Sequence, residues 1–348
     1  MRTIIAIGLV ILSLLLVMAL RRTAASLYSV PEGKPASTES QHIFKAAHAL
    51  QAAQQVQPIH AILLAAIEAE TDSDRRSEAL ERSVESISDA DLPAMLDSLS
   101  HDDSPAAAEL RQRLVRRWAE TNAPAAAAWA AQLPESSTRR DALEQVSIAW
   151  ANTDLPAATS WVRTLPEGDG KQAATFDLAY EATRTEPIAA LELARTLPPA
   201  GERDDLLVHA VSQWAGADST AAAAWATKVS DPNLRQHLLA AVAVASAERD
   251  GATAATLAVS SLNAGDEQDR TVVSIVQRWA QNSPQAAASW VSQFPDIPLR
   301  DAAVQNLLAI WTVQDAEAAG NWLRNLPAGS LRDLGIAAYN KMVPELQQ

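Results

Sequence analysis

Residues 140–166 read RDALEQVSIAWANTDLPAATSWVRTLP. Two tryptophans, Trp150 and Trp161, stand 11 residues apart and bracket Asp154-Leu155-Pro156, and Leu165-Pro166 closes the stretch. Proline is tolerated in a helix's first turn, where its missing N–H loses no partner, and an Asp just before it can cap the helix. Pro156 therefore starts a helix whose next residues, Ala157 and Ala158, are strong helix formers. Leu165 stops it, because the residue before a proline is pushed out of the α region. After a turn an Arg-Asp dipeptide opens the next helix, where Asp141 or Asp301 meets the positive end of the macrodipole.

The pattern recurs outward in both directions. The ten tryptophans form five pairs, Trp118/Trp129, Trp150/Trp161, Trp214/Trp225, Trp279/Trp290 and Trp311/Trp322. Each pair is split by 11 residues, and successive pairs lie 32, 64, 65 and 32 residues apart. A 32-residue period with two missing pairs accounts for all of them; the vacant places hold Ala182/Leu193 and Ser246/Leu257. Leu133-Pro134, Leu197-Pro198, Phe294-Pro295 and Leu326-Pro327 repeat the stop signal, and Arg203-Asp204, Arg300-Asp301 and Arg332-Asp333 repeat the dipeptide of Arg140-Asp141. Each unit is expected to hold two helices, of roughly 14 to 16 and 9 to 11 residues. Such a pair cannot bury its apolar face alone, so units stack. Arg75 to Leu99 reads as a worn first unit with Ile87 near the Trp place, His42 to Ala69 as an N-terminal cap, and Leu331 to Met342 as a last helix closed by Pro344.

This organisation resembles the α-solenoid superfamily of helical-hairpin repeats, closest in length to tetratricopeptide and Sel1-like arrays and to a Trp-anchored variety seen in bacterial envelope proteins. The resemblance covers residues 75–343. Its period is two short of the tetratricopeptide's 34 residues and the motif of that family is not reproduced, so no groove residues carry over. It implies an all-α, right-handed solenoid.

Ahead of the repeats, Thr3 to Leu20 carries no charge and lies between Arg2 and Arg21-Arg22. Eighteen helical residues span about 27 Å, close to the hydrocarbon thickness. A cleaved signal peptide has a shorter apolar region, so residues 1–22 read as a retained anchor. Residues 23–41, with Pro31, Gly33 and Pro35, read as a flexible spacer, and 42–348 as the repeat domain. The short positive N-terminal flank points the body to the extracytoplasmic, periplasmic side, while Arg21-Arg22 counts against that orientation.

Composition narrows the chemistry. The chain has no cysteine, and its net charge is −14; beyond residue 40 there are 24 basic and 40 acidic residues. So acidic a body is a poor partner for nucleic acid and suits a basic protein or peptide partner. His42, His48, His60, His101, His209 and His237 are scattered and read as solvated, with no metal motif. Neither a nucleotide-binding glycine loop nor a nucleophile elbow occurs, and no cofactor or catalytic residue is expected. Gly168-Asp169-Gly170 reads as a turn. Arg111, Arg113, Arg116 and Arg117 read as a solvated helix face paired to Glu109 and Glu120.

The tryptophans, repeated at one phase of every unit, read as packing residues rather than a ligand platform. The broken units are more informative: the third adds Phe176, Tyr180 and Glu181, a candidate partner cleft, and the fifth adds Glu248-Arg249-Asp250. The functional expectation is a membrane-tethered scaffold or adaptor for protein–protein interaction, without catalysis of its own. A module binding cell-envelope glycan or peptide is the alternative, and a superhelical hydrolase or transglycosylase comes last.

Overall fold

The computed structural model describes residues 59–343, which form sixteen helices and no strand. In chain order they are α1 (59–68), α2 (Ser73–Ser86), α3 (Leu92–Leu99), α4 (Pro105–Gln132), α5 (Ser137–Thr153), α6 (Leu155–Thr164), α7 (Asp169–Ala182) and α8 (Pro187–Ala194). Then follow α9 (Gly201–Ala217), α10 (Ser219–Ala226), α11 (Pro232–Ser246), α12 (Gly251–Ser261), α13 (Asp266–Asn282), α14 (Pro284–Val291), α15 (Pro298–Asn325) and α16 (Ser330–Met342). The expected spacer and the residues around His42, His48 and Pro344 lie outside the described residues. So do residues 3–20, the expected anchor; among the described residues no helix is long and apolar enough to cross a membrane.

From α5 to α14, long helices of 14 to 17 residues alternate with short ones of 8 to 11. What joins them is one backbone bend made seven times, at Asn122, Asp154, Glu186, Asp218, Asp250, Ser283 and Asp315. All seven have φ between −157° and −135° and ψ between 63° and 88°. In α4 and α15 the bend is a kink inside the 28-residue span, at Asn122 and Asp315, and divides each span into a long and a short helical segment. Their spacing is 32 residues, with a single step of 33 between Asp250 and Ser283.

The bend is built from local hydrogen bonds. The N–H of Asp154 donates to the Trp150 carbonyl at 2.8 Å, and the next helix begins when Ala158 donates to the Asp154 carbonyl at 3.0 Å. Asp154 also caps that helix, its Oδ1 accepting from the Ala157 N–H at 3.0 Å. Asn122, Asp218, Asp250 and Asp315 cap their short helices in the same way, each such cap being worth about 1 kcal/mol. The units without tryptophan keep the bend: Glu186 donates to Ala182 at 2.8 Å and Asp250 to Ser246 at 2.9 Å. Pro is dispensable here, since α10 and α12 begin Ser219-Thr220 and Gly251-Ala252 without one.

Two sequence expectations are corrected. Ser136 caps α5 and the helix starts at Ser137, so Asp141 lies in the second turn, where Arg140 is 3.7 Å away; Asp204, Asp301 and Asp333 do occupy first turns. Arg140 is also one residue out of phase with Arg203. The true register is Arg139, Lys171, Arg203, Arg235, Gln268, Arg300 and Arg332, again stepping by 32 with one step of 33. Except for Arg203, which pairs with Asp204 of its own helix, these side chains secure the loop before their own helix. Lys171 reaches Glu167 at 2.7 Å, Arg235 donates to the Val229 carbonyl at 2.8 Å, Gln268 to Leu262 at 3.3 Å and Arg332 to Leu326 at 3.4 Å. Arg300, whose side chain is 8% exposed, pairs with Asp296 and donates to Ser330 Oγ at 3.1 Å.

Packing follows chain order. Among α2–α16, each substantial contact joins helices no more than two apart: long helices stack on long helices, and each of the short helices α6, α8, α10, α12 and α14 packs on both of its long neighbours. The core is correspondingly a strip of small and branched side chains, for example Ala287, Ala288, Val291, Ala303, Val304, Leu307 and Leu308, all buried. Alanine allows the close helix approach, and area removed from water stabilises it at about 25 cal/mol/Å². The residue before a bend stitches units together: Arg249 donates to the Ala217 carbonyl at 3.2 Å, Asn282 to Glu248 at 3.1 Å and Gln314 to Gln281 at 3.0 Å.

The arginine cluster is corrected in part: Arg116 is exposed as expected, but the others are engaged elsewhere. Arg111 is 5% exposed and donates to the carbonyls of Leu99 at 2.8 Å and Asp102 at 3.3 Å. Arg117 holds the C-terminal end of α2 through the carbonyls of Val84 at 2.7 Å and Ile87 at 2.8 Å. Arg113 pairs with Glu81, and Glu109 pairs instead with Arg76 at 3.1 Å. A guanidinium has five donors and is suited to gathering the orphan carbonyls of helix ends.

Candidate functional site

Phe176, Tyr180 and Glu181 occupy α7, with Phe176 and Glu181 half-buried and Tyr180 54% exposed. The structure ties two of them to adjoining long helices. The Tyr180 ring stacks on His209 of α9, with centroids 6.0 Å apart and 20° between planes. Glu181 accepts from Asn152 Nδ2 of α5 at 3.1 Å and lies 3.9 Å from Arg184. Between them stands Asp177, which the sequence did not single out. Burial, and then the charges of Glu144 and Glu181, push its carboxyl from 3.8 up to about 7. The available signal was an acid on each of two successive long helices, Glu144 and Asp177.

Four of the five tryptophan pairs meet across the bend. Ring centroids are 6.3 Å apart for Trp118/Trp129, 5.5 Å for Trp150/Trp161, 6.0 Å for Trp279/Trp290 and 5.8 Å for Trp311/Trp322, with the planes tilted by 32–53°. Trp118, Trp129 and Trp311 are buried, whereas Trp150, Trp161, Trp214, Trp225, Trp279, Trp290 and Trp322 are half-buried. The Trp129 Nε1–H donates to Asp97 Oδ1 at 2.7 Å. Trp311 Nε1 is buried and has no hydrogen-bond partner among the described residues.

One concavity uses such a pair as its floor. Between α12 and α14 an open groove of about 680 Å³ is walled by Ala252, Ala255, Thr256, Val259 and Ser260 on one side and Ala286, Ser289 and Gln293 on the other, with Trp279 and Trp290 beneath. Phe294 braces Trp290 edge-on at 4.8 Å and 87°. Gly251 at the start of α12 leaves room for the Trp279 ring, which an added Cβ would strike. The fifth unit, lacking its own tryptophans, thus receives the sixth unit's Trp279. Sequence reading flagged that unit but missed Gly251 and Val259; the signal was glycine and valine where other units differ.

At the other end of the array His60 is not solvated as expected. Its side chain is 15% exposed, Nδ1 lies 3.0 Å from Ser98 Oγ, and Nε2 lies 3.3 Å from Asp102 Oδ2. Asp102 is held below the usual carboxylate range, first by the Ser104 backbone N–H and side chain and then by His60. The network ties α1 to α3 and to the start of α4. His237 pairs with Glu267 at 3.4 Å. Among the described residues no group of three or more His, Asp or Glu is placed to hold a metal ion.

Fold and groove together define an all-helical repeat protein with an aromatic-floored surface groove. The chain matches no protein-family model and no curated protein.

Proposed function

We propose that this protein is a membrane-tethered scaffold or adaptor: residues 3–20 anchor it, residues 23–41 hold it off the bilayer, and a right-handed α-solenoid of tetratricopeptide- or Sel1-like type presents a surface to a protein or peptide partner on the extracytoplasmic side. The observation that carries this reading is that every substantial helix–helix contact joins helices near in sequence. An array so built exposes a face of every unit along its length, and such surfaces suit long peptides and protein partners without chemistry of their own. The acidic body favours basic partners by complementarity and faster encounter. Crosslinking in membranes followed by mass spectrometry tests it, with recurrent protein partners expected. Release of the full chain by alkaline carbonate would remove the anchor from the reading, and a reporter fused at Gln348 fixes the side.

Two further readings have specific support. Half-buried Trp279 and Trp290 beside Thr256, Ser260 and Ser289 resemble a sugar platform, since indole faces stack on sugars; tryptophan quenching by wall fragments is its test. The chain Ser98–His60–Asp102 has the residue types of a hydrolytic relay. A fluorophosphonate probe should leave Ser98 unlabelled if the scaffold reading holds.

A further inference from the structure

We infer that the groove between α12 and α14 receives a short, uncharged, apolar segment of a partner protein; the inference rests on the scaffold reading and names the chemistry of its partner at this place.

Three observations converge. First, none of the ten residues lining the groove is ionisable, in a chain of net charge −14. Position for position along the repeat, Val259 corresponds to Arg163, Arg195 and Arg324 in three units and to Ala131, Thr227 and Ser292 in the others. Val259 is nonetheless 62% exposed, so an apolar side chain faces water on the wall where arginine stands elsewhere. A charge brought into such a groove would meet no counter-charge in its lining and would cover apolar surface less well than an apolar side chain.

Second, the polar groups on the walls already serve their own helices. Thr256 Oγ1 donates to the Ala252 carbonyl at 2.9 Å, Ser289 Oγ to Gln285 at 2.9 Å and Gln293 Nε2 to Ser289 at 3.0 Å. A glycan hydroxyl is bound best by planar polar side chains that both donate and accept, and the lining supplies Gln293 alone of that kind. An apolar segment needs only area and shape.

Third, the floor is built. Trp290 is braced by Phe294, and Trp279 is received over Gly251. A rigid aromatic surface loses little side-chain entropy on binding, and the groove is open along its length, so it is suited to a segment laid across it rather than to an enclosed small ligand.

The test uses the full chain in nanodiscs. Its probes are neutral, end-blocked twelve-residue peptides of Leu, Ala and Gln, matched peptides with Lys or Asp replacing the Leu residues, and a soluble peptidoglycan fragment. Tryptophan emission reports binding. The neutral peptide should bind and the charged ones should not. Val259→Arg on one wall and Ala286→Glu on the other should each weaken binding by about tenfold or more, and Thr227→Arg, in the same place of another unit, should leave it unchanged. Circular dichroism melting shows that the variants fold; both walls are tested so that one unfolded variant does not decide the matter. Equal affinity in folded Val259→Arg and Ala286→Glu, preference for a charged peptide, or binding of the glycan fragment alone would each overturn the inference. Loss of the groove with crosslinked partners retained would remove this inference and leave the scaffold reading standing.

Discussion

Gly251 lies against the indole of Trp279, so close that a Cβ at residue 251 would overlap the ring atoms Cγ and Cδ2. The contact crosses from the fifth unit to the sixth, and it sets the floor of the α12–α14 groove. Gly251→Ala gains slightly in helix propensity but must push aside the Trp279 ring, which packs on Trp290 with centroids 6.0 Å apart. The net expectation is a loss of about 1–3 kcal/mol, as for other overpacked cores, with a shift of tryptophan emission. Urea unfolding followed by fluorescence measures both, and unchanged stability would show that the ring is free to move away.

Burial grades the tryptophans. Trp311 is 2% exposed and sits among Val304, Leu307, Leu308 and Leu323, whereas Trp150 is half-buried. Trp311→Ala should cost about 3–5 kcal/mol, in the range of buried aromatic truncations, and Trp150→Ala distinctly less. Trp311→Phe should cost less than the area lost implies, because it removes a buried N–H that has no acceptor among the described residues. Comparing the three melting curves checks the order.

The loop-securing register gives a different kind of prediction. Arg300 holds Asp296 and Ser330 while almost wholly covered. Arg300→Ala leaves Ser330 without that donor and frees the loop, for an expected loss of about 1–3 kcal/mol. The outer partner Asp296 is 69% exposed, so Asp296→Asn should change stability by under about 1 kcal/mol. Equal effects of the two would mean that the ion pair, rather than the buried guanidinium, does the holding.

Asp177 makes stability depend on pH. Its carboxyl titrates at about 7 in the fold against 3.8 in the free side chain, first through burial and then through Glu144 and Glu181. Between these values the unfolded chain has released the proton that the fold still holds, so stability falls as pH rises from about 4 to 7 and levels off above. After allowance for solvent screening of a partly exposed group, the effect is about 1–2 kcal/mol. Asp177→Asn should therefore be more stable than wild type at pH 8 and flatten the slope in that window. Denaturant midpoints at pH 5 and pH 8 decide it; the same slope in the variant would place the titration elsewhere.

How far the fold was legible depends on how local the physics is. Asp154-Leu155-Pro156 and Leu165-Pro166 act within one turn of helix, so the start and stop of α6 follow from their own residues. Asp141 was misplaced because an upstream Ser136 wins the cap. Adjacent Arg139 and Arg140 look alike in sequence, and which of them holds the register position is decided by which one faces the preceding loop. His60, with partners 38 and 42 residues away, left no local sign.

The sequence by itself determined the 32-residue step, the alternation of long and short helices and the two units without tryptophan, since each rests on caps, propensity and spacing within about ten residues. Tertiary structure decided which edges stay open. Trp279 crosses to Gly251, Tyr180 to His209 and Glu181 to Asn152, each pair set by how one unit is placed on the next. Exposure of a residue such as Val259 is a property of the stack, because the neighbour that could cover it belongs to another unit.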